Sequence, residues 1–296
     1  MTNILLRSFS LPLRTSGMTF DHNGNYVISN HDNKVNYYTP EGEFLHSLGG
    51  FDINERRFLK PTGLICDHIG NIYICDKMDL KIKIFSPDGN FIHALKCHRI
   101  GWHFSGPNTI SFDNDSNIIV GDTLNNLIYF FKSGGVFDKC LKFKFSLNDI
   151  KVDPNGNHVI CGINKILVVK PNGERIRSFN CKNSTSITFD HDGNYVFCDS
   201  EHKIKVLSPD GKLISSVKRE HFSEFSKDLV MCDNDGNYVY YDYYNNIFEV
   251  YKGPGEIPSL ASLCKKQIQK NNKTNISVGL IIMLLIVIIF FINIFL

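Results

Sequence analysis

Almost every local signature of enzymatic chemistry is missing from this sequence. No phosphate loop, dinucleotide-binding glycine fingerprint, His-Glu-x-x-His or Gly-x-Ser-x-Gly occurs in its 296 residues, so no catalytic residue and no cofactor is assigned. The nine cysteines are scattered, odd in number and without a Cys-x-x-Cys pair, which argues against both a disulfide framework and a zinc knuckle. Cys66, Cys75, Cys161, Cys198 and Cys232 stand in strand-like runs and read as reduced core residues of a cytosolic protein. At the start of the chain the apolar run from Ile4 to Leu6 ends at Arg7, too short for the core of a signal peptide. Charge of one sign is lacking as well. Four of the 32 basic residues (Lys265, Lys266, Lys270, Lys273) follow the last of the 30 acidic ones, leaving residues 1–264 at a net charge of −2. A domain so balanced has little field for phosphate backbones, and nucleic acid is not an expected partner.

What is present begins with one long hydrophobic run. From Ile276 to Leu296 only Ser277 and Asn293 interrupt the apolar residues, and about 20 such residues at 1.5 Å rise match a hydrocarbon core of roughly 30 Å. The segment reads as a single transmembrane helix, since a soluble helix would show a polar face. The lysines just before it, with nothing after it, fit a tail anchor that leaves the preceding domain in the cytosol. Sequons at Asn114, Asn183, Asn272 and Asn275 are then expected to stay unmodified. The Asn, Ile and Lys bias resembles chains from AT-rich genomes, and for a viral source the membrane would be the host's.

The rest of the chain is a repeat. Asp-x-x-Gly/Ser-Asn recurs at Asp21, Asp67, Asp113, Asp153, Asp190 and Asp233, with spacings of 46, 46, 40, 37 and 43 residues, the range of propeller blades. Each copy reads as four short strands. An apolar run such as Gly63 to Cys66 enters the turn, and a β-branched or aromatic run such as Asn71 to Cys75 leaves it. An alternating third strand follows, as at Lys81 to Phe85, Lys165 to Val169 and Lys203 to Leu207. Pro-x-Gly turns at Pro40, Pro87, Pro171 and Pro209, reduced to Ser133-Gly-Gly135 in the third copy, lead to an outer strand. The sixth copy stops after Tyr251 without an outer strand, and Asn3 to Phe9 matches that missing piece. A ring closed by the N-terminal strand leaves no unpaired edge between first and last blades.

The succession Pro61-Thr-Gly-Leu64, Asp-x-x-Gly-Asn-x-Tyr, a second Asp (Asp76, Asp122, Asp199, Asp242) and Pro-Asp-Gly resembles the NHL repeat. The resemblance covers residues 1–252 and implies an all-β, six-bladed NHL-type β-propeller. The domain reading is a propeller over 1–252, a juxtamembrane linker over 253–275 and a transmembrane helix over 276–296. The family includes enzymes, RNA binders and scaffolds, so fold does not settle function.

Six repeated carboxylates suggest calcium, but a residue present at the same turn in every copy is required by the turn, and His22, His68 and His191 share that reading. No metal ligand set is assigned. Binding candidates are the basic and aromatic residues between blades: Arg56, Arg57 and Lys60; His98, Arg99, Trp102 and His103; and Lys218 with Arg219. The expected function is a non-enzymatic protein-interaction scaffold, anchored to the bilayer through 276–296, with a protein partner. The alternatives are a metal-dependent propeller hydrolase or lyase and an RNA-binding NHL module.

Overall fold

The computed structural model describes residues 4–49, 56–97, 103–199, 203–218 and 227–253. The described residues all belong to one compact unit, 1–253. The segment 276–296 and all of the linker except Gly253 therefore lie outside the described residues, and among those that are described no helix is long and apolar enough to cross a membrane.

The described chain is strand throughout. After β1 (Leu5–Ser10), the first blade is β2 (Thr15–Phe20), β3 (Tyr26–Asn30), β4 (Lys34–Tyr38) and β5 (Phe44–Gly49). The second is β6 (Pro61–Cys66), β7 (Ile72–Asp76), β8 (Lys81–Phe85) and β9 (Phe91–Leu95), and the third β10 (Pro107–Phe112), β11 (Ile118–Asp122), β12 (Leu127–Phe131) and β13 (Phe137–Lys142). The fourth holds β14 (Leu147–Val152), β15 (His158–Gly162), β16 (Lys165–Val169) and β17 (Arg175–Asn180); the fifth holds β18 (Ile187–Phe189), β19 (Tyr195–Cys198), β20 (Lys203–Leu207) and β21 (Leu213–Lys218). In the sixth, β22 (Leu229–Cys232), β23 (Tyr238–Asp242) and β24 (Ile247–Tyr251) take β1 as their outer strand. All six sheets are four-stranded and each pairing is antiparallel between neighbours, as at Ile74 opposite Lys83.

The closure expected from the sequence is present. Phe9 pairs with Phe248 and Ser10 with Ile247, and the Phe9 and Phe248 rings stack at 5.2 Å. The Lys252 amide donates to the Ile4 carbonyl at 2.9 Å, and the Thr15 amide to the Tyr241 hydroxyl at 2.9 Å.

Strand alternation builds six apolar cores, each between two blades. Val27 and Val35 of the first blade pack with Ile72 and Phe85 of the second, whereas Tyr26 and Ile28 face Val239 and Phe248 of the sixth. Cys75, Cys161 and Cys198 are buried in such cores, Cys66 and Cys232 lie against them, and none of the described cysteines is in a disulfide.

In a four-stranded antiparallel meander the first and third turns share one face, and the middle turn and the inter-blade connection share the other. The Asp-x-x-Gly/Ser-Asn turns define the first, the turn face, and they are chemically the same six times. Asp67 Oδ1 accepts from the amides of Ile69 (3.1 Å) and Asn71 (2.8 Å), and Oδ2 from Asn71 Nδ2 (2.9 Å). Asp21, Asp113, Asp153, Asp190 and Asp233 do the same. The carboxylates are occupied by the turn, as the repeat implied.

Candidate functional site

The inner strands β2, β6, β10, β14, β18 and β22 line the central channel. Between β2, β6 and β10 the backbones come so close that a Cβ on Gly17 would lie 2.3 Å from the Thr62 carbonyl oxygen, and one on Gly63 2.4 Å from that of Asn108. Among the inner strands the channel holds a space of about 70 Å³. It opens on the other face, the mouth face, into a cavity of about 250 Å³.

This mouth is built from the ends of the inner strands and from the first residues of the middle turns. Ser16, Asn108, Asn148 and Thr185 come from the former or the connections leading to them, and His31, Lys77, Thr123 and Tyr243 from the latter. The inter-blade connections add Lys60 and Lys227. Arg14 stands at the edge, its guanidinium carbon 5.2 Å from the centre of the Tyr243 ring, and Lys77 Nζ donates to Asn108 Oδ1 at 3.4 Å. Among the described residues lining the mouth, none is acidic.

Carboxylates are close by but engaged elsewhere. Asp76 is fully buried and accepts from the amides of Leu59 (3.0 Å) and Lys60 (2.8 Å) and from Lys83 Nζ (3.0 Å). Asp122 accepts from the Ser105 amide at 2.6 Å, and Asp228 from the Tyr243 amide at 3.0 Å and from the Tyr240 hydroxyl. Asp149, beneath the mouth, accepts from the Thr109 hydroxyl at 2.5 Å and the Ile187 amide at 3.1 Å. These acids tie inter-blade connections or neighbouring strands together and leave the mouth cationic.

The electrostatics follow from that arrangement. Desolvation lowers the His31 imidazole below its ordinary value, and Lys227, Lys60 and Arg14 lower it further. Lys77 is lowered by its own burial and then by Lys227 and Lys60. Like charges gathered in one cleft, offset at Lys77 only in part by Asp122, raise its potential, an arrangement that concentrates anions.

Around the mouth, on the middle turns, stand exposed apolar side chains: Met78 (63% exposed), Leu124 (64%), Ile163 (48%) and Tyr244 (63%). Met78, Leu124 and Tyr244 each follow directly on a residue that lines the cavity.

Of the residues singled out in the sequence, Lys60 lines the mouth. Arg56 and Arg57 are exposed on the same connection, where the Arg57 carbonyl accepts from Lys83 Nζ at 2.5 Å. His103 is exposed, and its carbonyl accepts from the Tyr129 hydroxyl at 2.7 Å. His98, Arg99, Trp102, Arg219 and the side chain of Lys218 lie outside the described residues. Arg14, His31, Lys77 and Lys227 were not reached by sequence reasoning. Each lies in a different loop, and only the closed ring brings them together. Among the described residues no group of three or more His, Cys, Asp or Glu is placed to hold a metal ion.

No family model matches the chain, and no curated protein matches it. Solved structures do. A streptogramin B lyase structure is similar with a TM-score of 0.62 at 15% identity, over 84% of this chain and 98% of that one. Virginiamycin B lyase from Staphylococcus aureus is similar with a TM-score of 0.63 at 14% identity, over 83% and 98% of the two chains. A catalytically inactive variant of that lyase with quinupristin gives 0.63 at 13% identity, over the same shares. At such identities the likeness establishes the propeller fold and nothing finer.

Proposed function

We propose that this chain is an NHL-type propeller, tethered to a membrane by residues 276–296, that serves on the cytosolic side as a non-enzymatic docking module for a protein partner. The observation that carries the reading is the mouth face, where exposed Met78, Leu124, Ile163 and Tyr244 surround a cationic cavity. Apolar residues around a charged centre are the composition of a docking patch with a polar anchor point. The partner it fits presents an acidic group between apolar side chains, by charge complementarity with Arg14, Lys60, Lys77 and Lys227.

The test is affinity capture and cross-linking of the full chain in membranes, beside a Met78→Asp, Leu124→Asp, Tyr244→Asp variant. These side chains are exposed, so the variant is expected to fold normally and to lose its partner. Equal capture by both proteins defeats the docking reading. Protease protection of the propeller in sealed vesicles checks the tether and its orientation.

A second reading, a propeller lyase, is favoured by one observation, the His31 imidazole, lowered from its ordinary value by burial and nearby cations, at the mouth of a fold shared with two lyases. Incubation of the full chain with quinupristin and divalent cations, followed by mass analysis, decides it: an intact substrate rejects that activity.

A further inference from the structure

The mouth carries more positive charge than an acidic side chain would neutralise. Lys60, Lys77 and Lys227 line one cavity of about 250 Å³, with Arg14 at its edge, and no acidic residue lines it among those described. A carboxylate brings one negative charge and two acceptor oxygens into such a site. A phosphate monoester brings nearly two charges and three strong acceptors, which meet several ammonium groups at once.

The surroundings supply the remaining requirements. Ser16, Thr123, Asn108 and Asn148 give the walls hydroxyl and amide groups that hydrogen-bond to phosphate oxygens. The close packing of β2, β6 and β10 at Gly17 and Gly63 holds the ring of inner strands tight beneath the cavity. The cavity of about 250 Å³ is large enough for a phosphorylated side chain. Met78, Leu124 and Tyr244 are then positioned to receive apolar residues on either side of it.

We propose that the mouth is a phosphate-monoester site and that its occupant is a phosphorylated residue of the docking partner. This rests on the docking reading and adds the condition that docking waits on phosphorylation. Cellular control of the interaction would then lie with the partner's kinase and phosphatase.

The experiment uses the full chain in nanodiscs at low ionic strength. Binding of inorganic phosphate is measured by phosphorus NMR line broadening, and acetate at matched ionic strength serves as a competitor. Phosphate is expected to bind in the millimolar range, acetate not to displace it, and Lys60→Gln and Lys227→Gln each to weaken it about tenfold. Both lysines are exposed at their side chains, so the thermal midpoint of each variant checks that folding is intact.

A second arm presents a degenerate peptide library with a central phosphoserine, the same library with glutamate, and vesicles containing phosphatidic acid. Retention of phosphopeptides over glutamate peptides, reversed by inorganic phosphate, supports the proposal. Equal retention of both libraries overturns it while leaving the docking reading standing. Retention of the vesicles in place of the peptides assigns the site to a lipid headgroup and overturns the choice of partner. Phosphate binding that ignores both lysine substitutions, or no phosphate binding at all, overturns the site itself.

Discussion

The two faces of the propeller are made by different rules. On the turn face one solution is used six times, with an aspartate holding two amides and an asparagine side chain within its own hairpin. Toward the mouth face equivalent positions diverge from blade to blade, beginning at mid-strand. The central residue of the third strand is Asn36, Lys83, Tyr129, Leu167, Lys205 and Glu249 in the six blades in turn, each opposite the centre of the second strand. Two of these residues reach the same target by different chemistry, Lys83 to the Arg57 carbonyl and Tyr129 to the His103 carbonyl, and so pin successive inter-blade connections. Repetition marks what the fold needs in every blade. Variation marks where the fold permits differences and where a site can be built.

The largest effect that would sharpen this contrast is expected at Lys83. Its ammonium is 2% exposed and bridges Asp76 at 3.0 Å and Asp79 at 2.7 Å. Lys83→Met leaves Asp76 buried without its cation and should cost about 3 to 5 kcal/mol in denaturant midpoint measurements. A loss under about 1 kcal/mol would mean the clasp is dispensable and the mouth face less individually built than it looks.

Next comes an exception on the repeated face. The residue after the turn asparagine is Tyr26, Ile72, Ile118, Tyr195 or Tyr238 in five copies and His158 in the fourth. Burial, then the nearby Lys139, depresses the His158 imidazole to about 4 from 6.5, and its Nδ1 has no hydrogen-bond partner. Because the folded value lies below the unfolded one, its contribution to stability is full above about pH 6.5 and declines as the pH falls to about 4, by roughly 3 kcal/mol in all. His158→Tyr restores the repeat and should remove that share of the acid sensitivity. Unchanged stability-versus-pH curves for the two proteins would refute the assignment.

A smaller effect tests the repetition directly. Asp67→Ala and Asp190→Ala each remove a charged acceptor from two amides and should each cost about 2 kcal/mol. A gap of more than about 1 kcal/mol between them would break the equivalence of the copies. The smallest effect is a gain. Ser116 occupies the place of the turn glycine in the third copy at φ 61°, a region where a Cβ is strained, so Ser116→Gly should raise stability by about 1 kcal/mol in calorimetry.

The same contrast explains what the sequence revealed. The third strands at Lys81–Phe85, Lys165–Val169 and Lys203–Leu207 begin and end where the alternating pattern placed them, because each side chain alternates between two inter-blade cores. The closing outer strand, read as Asn3 to Phe9, runs over Leu5–Ser10, since its bounds are fixed by pairing with β24 rather than by hydropathy. The mouth was nearly invisible. Net charge hid it, because the acids that balance Arg14, Lys77 and Lys227 in the total are spent on buried amides and turns. Lys60 drew notice only as part of a local basic cluster.

Closure by β1 has a consequence for synthesis. Leu11 and its partner Asn246 are 235 residues apart, so the first strand made is the last to find its place. At about 5 to 20 residues per second, β1 leaves the ribosome on the order of ten to fifty seconds before β24 exists to receive it. Through that interval Phe9, which stacks on Phe248 in the finished ring, belongs to a strand with two open edges. The nascent chain is therefore most in need of a chaperone at β1, and slow translation of the sixth blade lengthens that need.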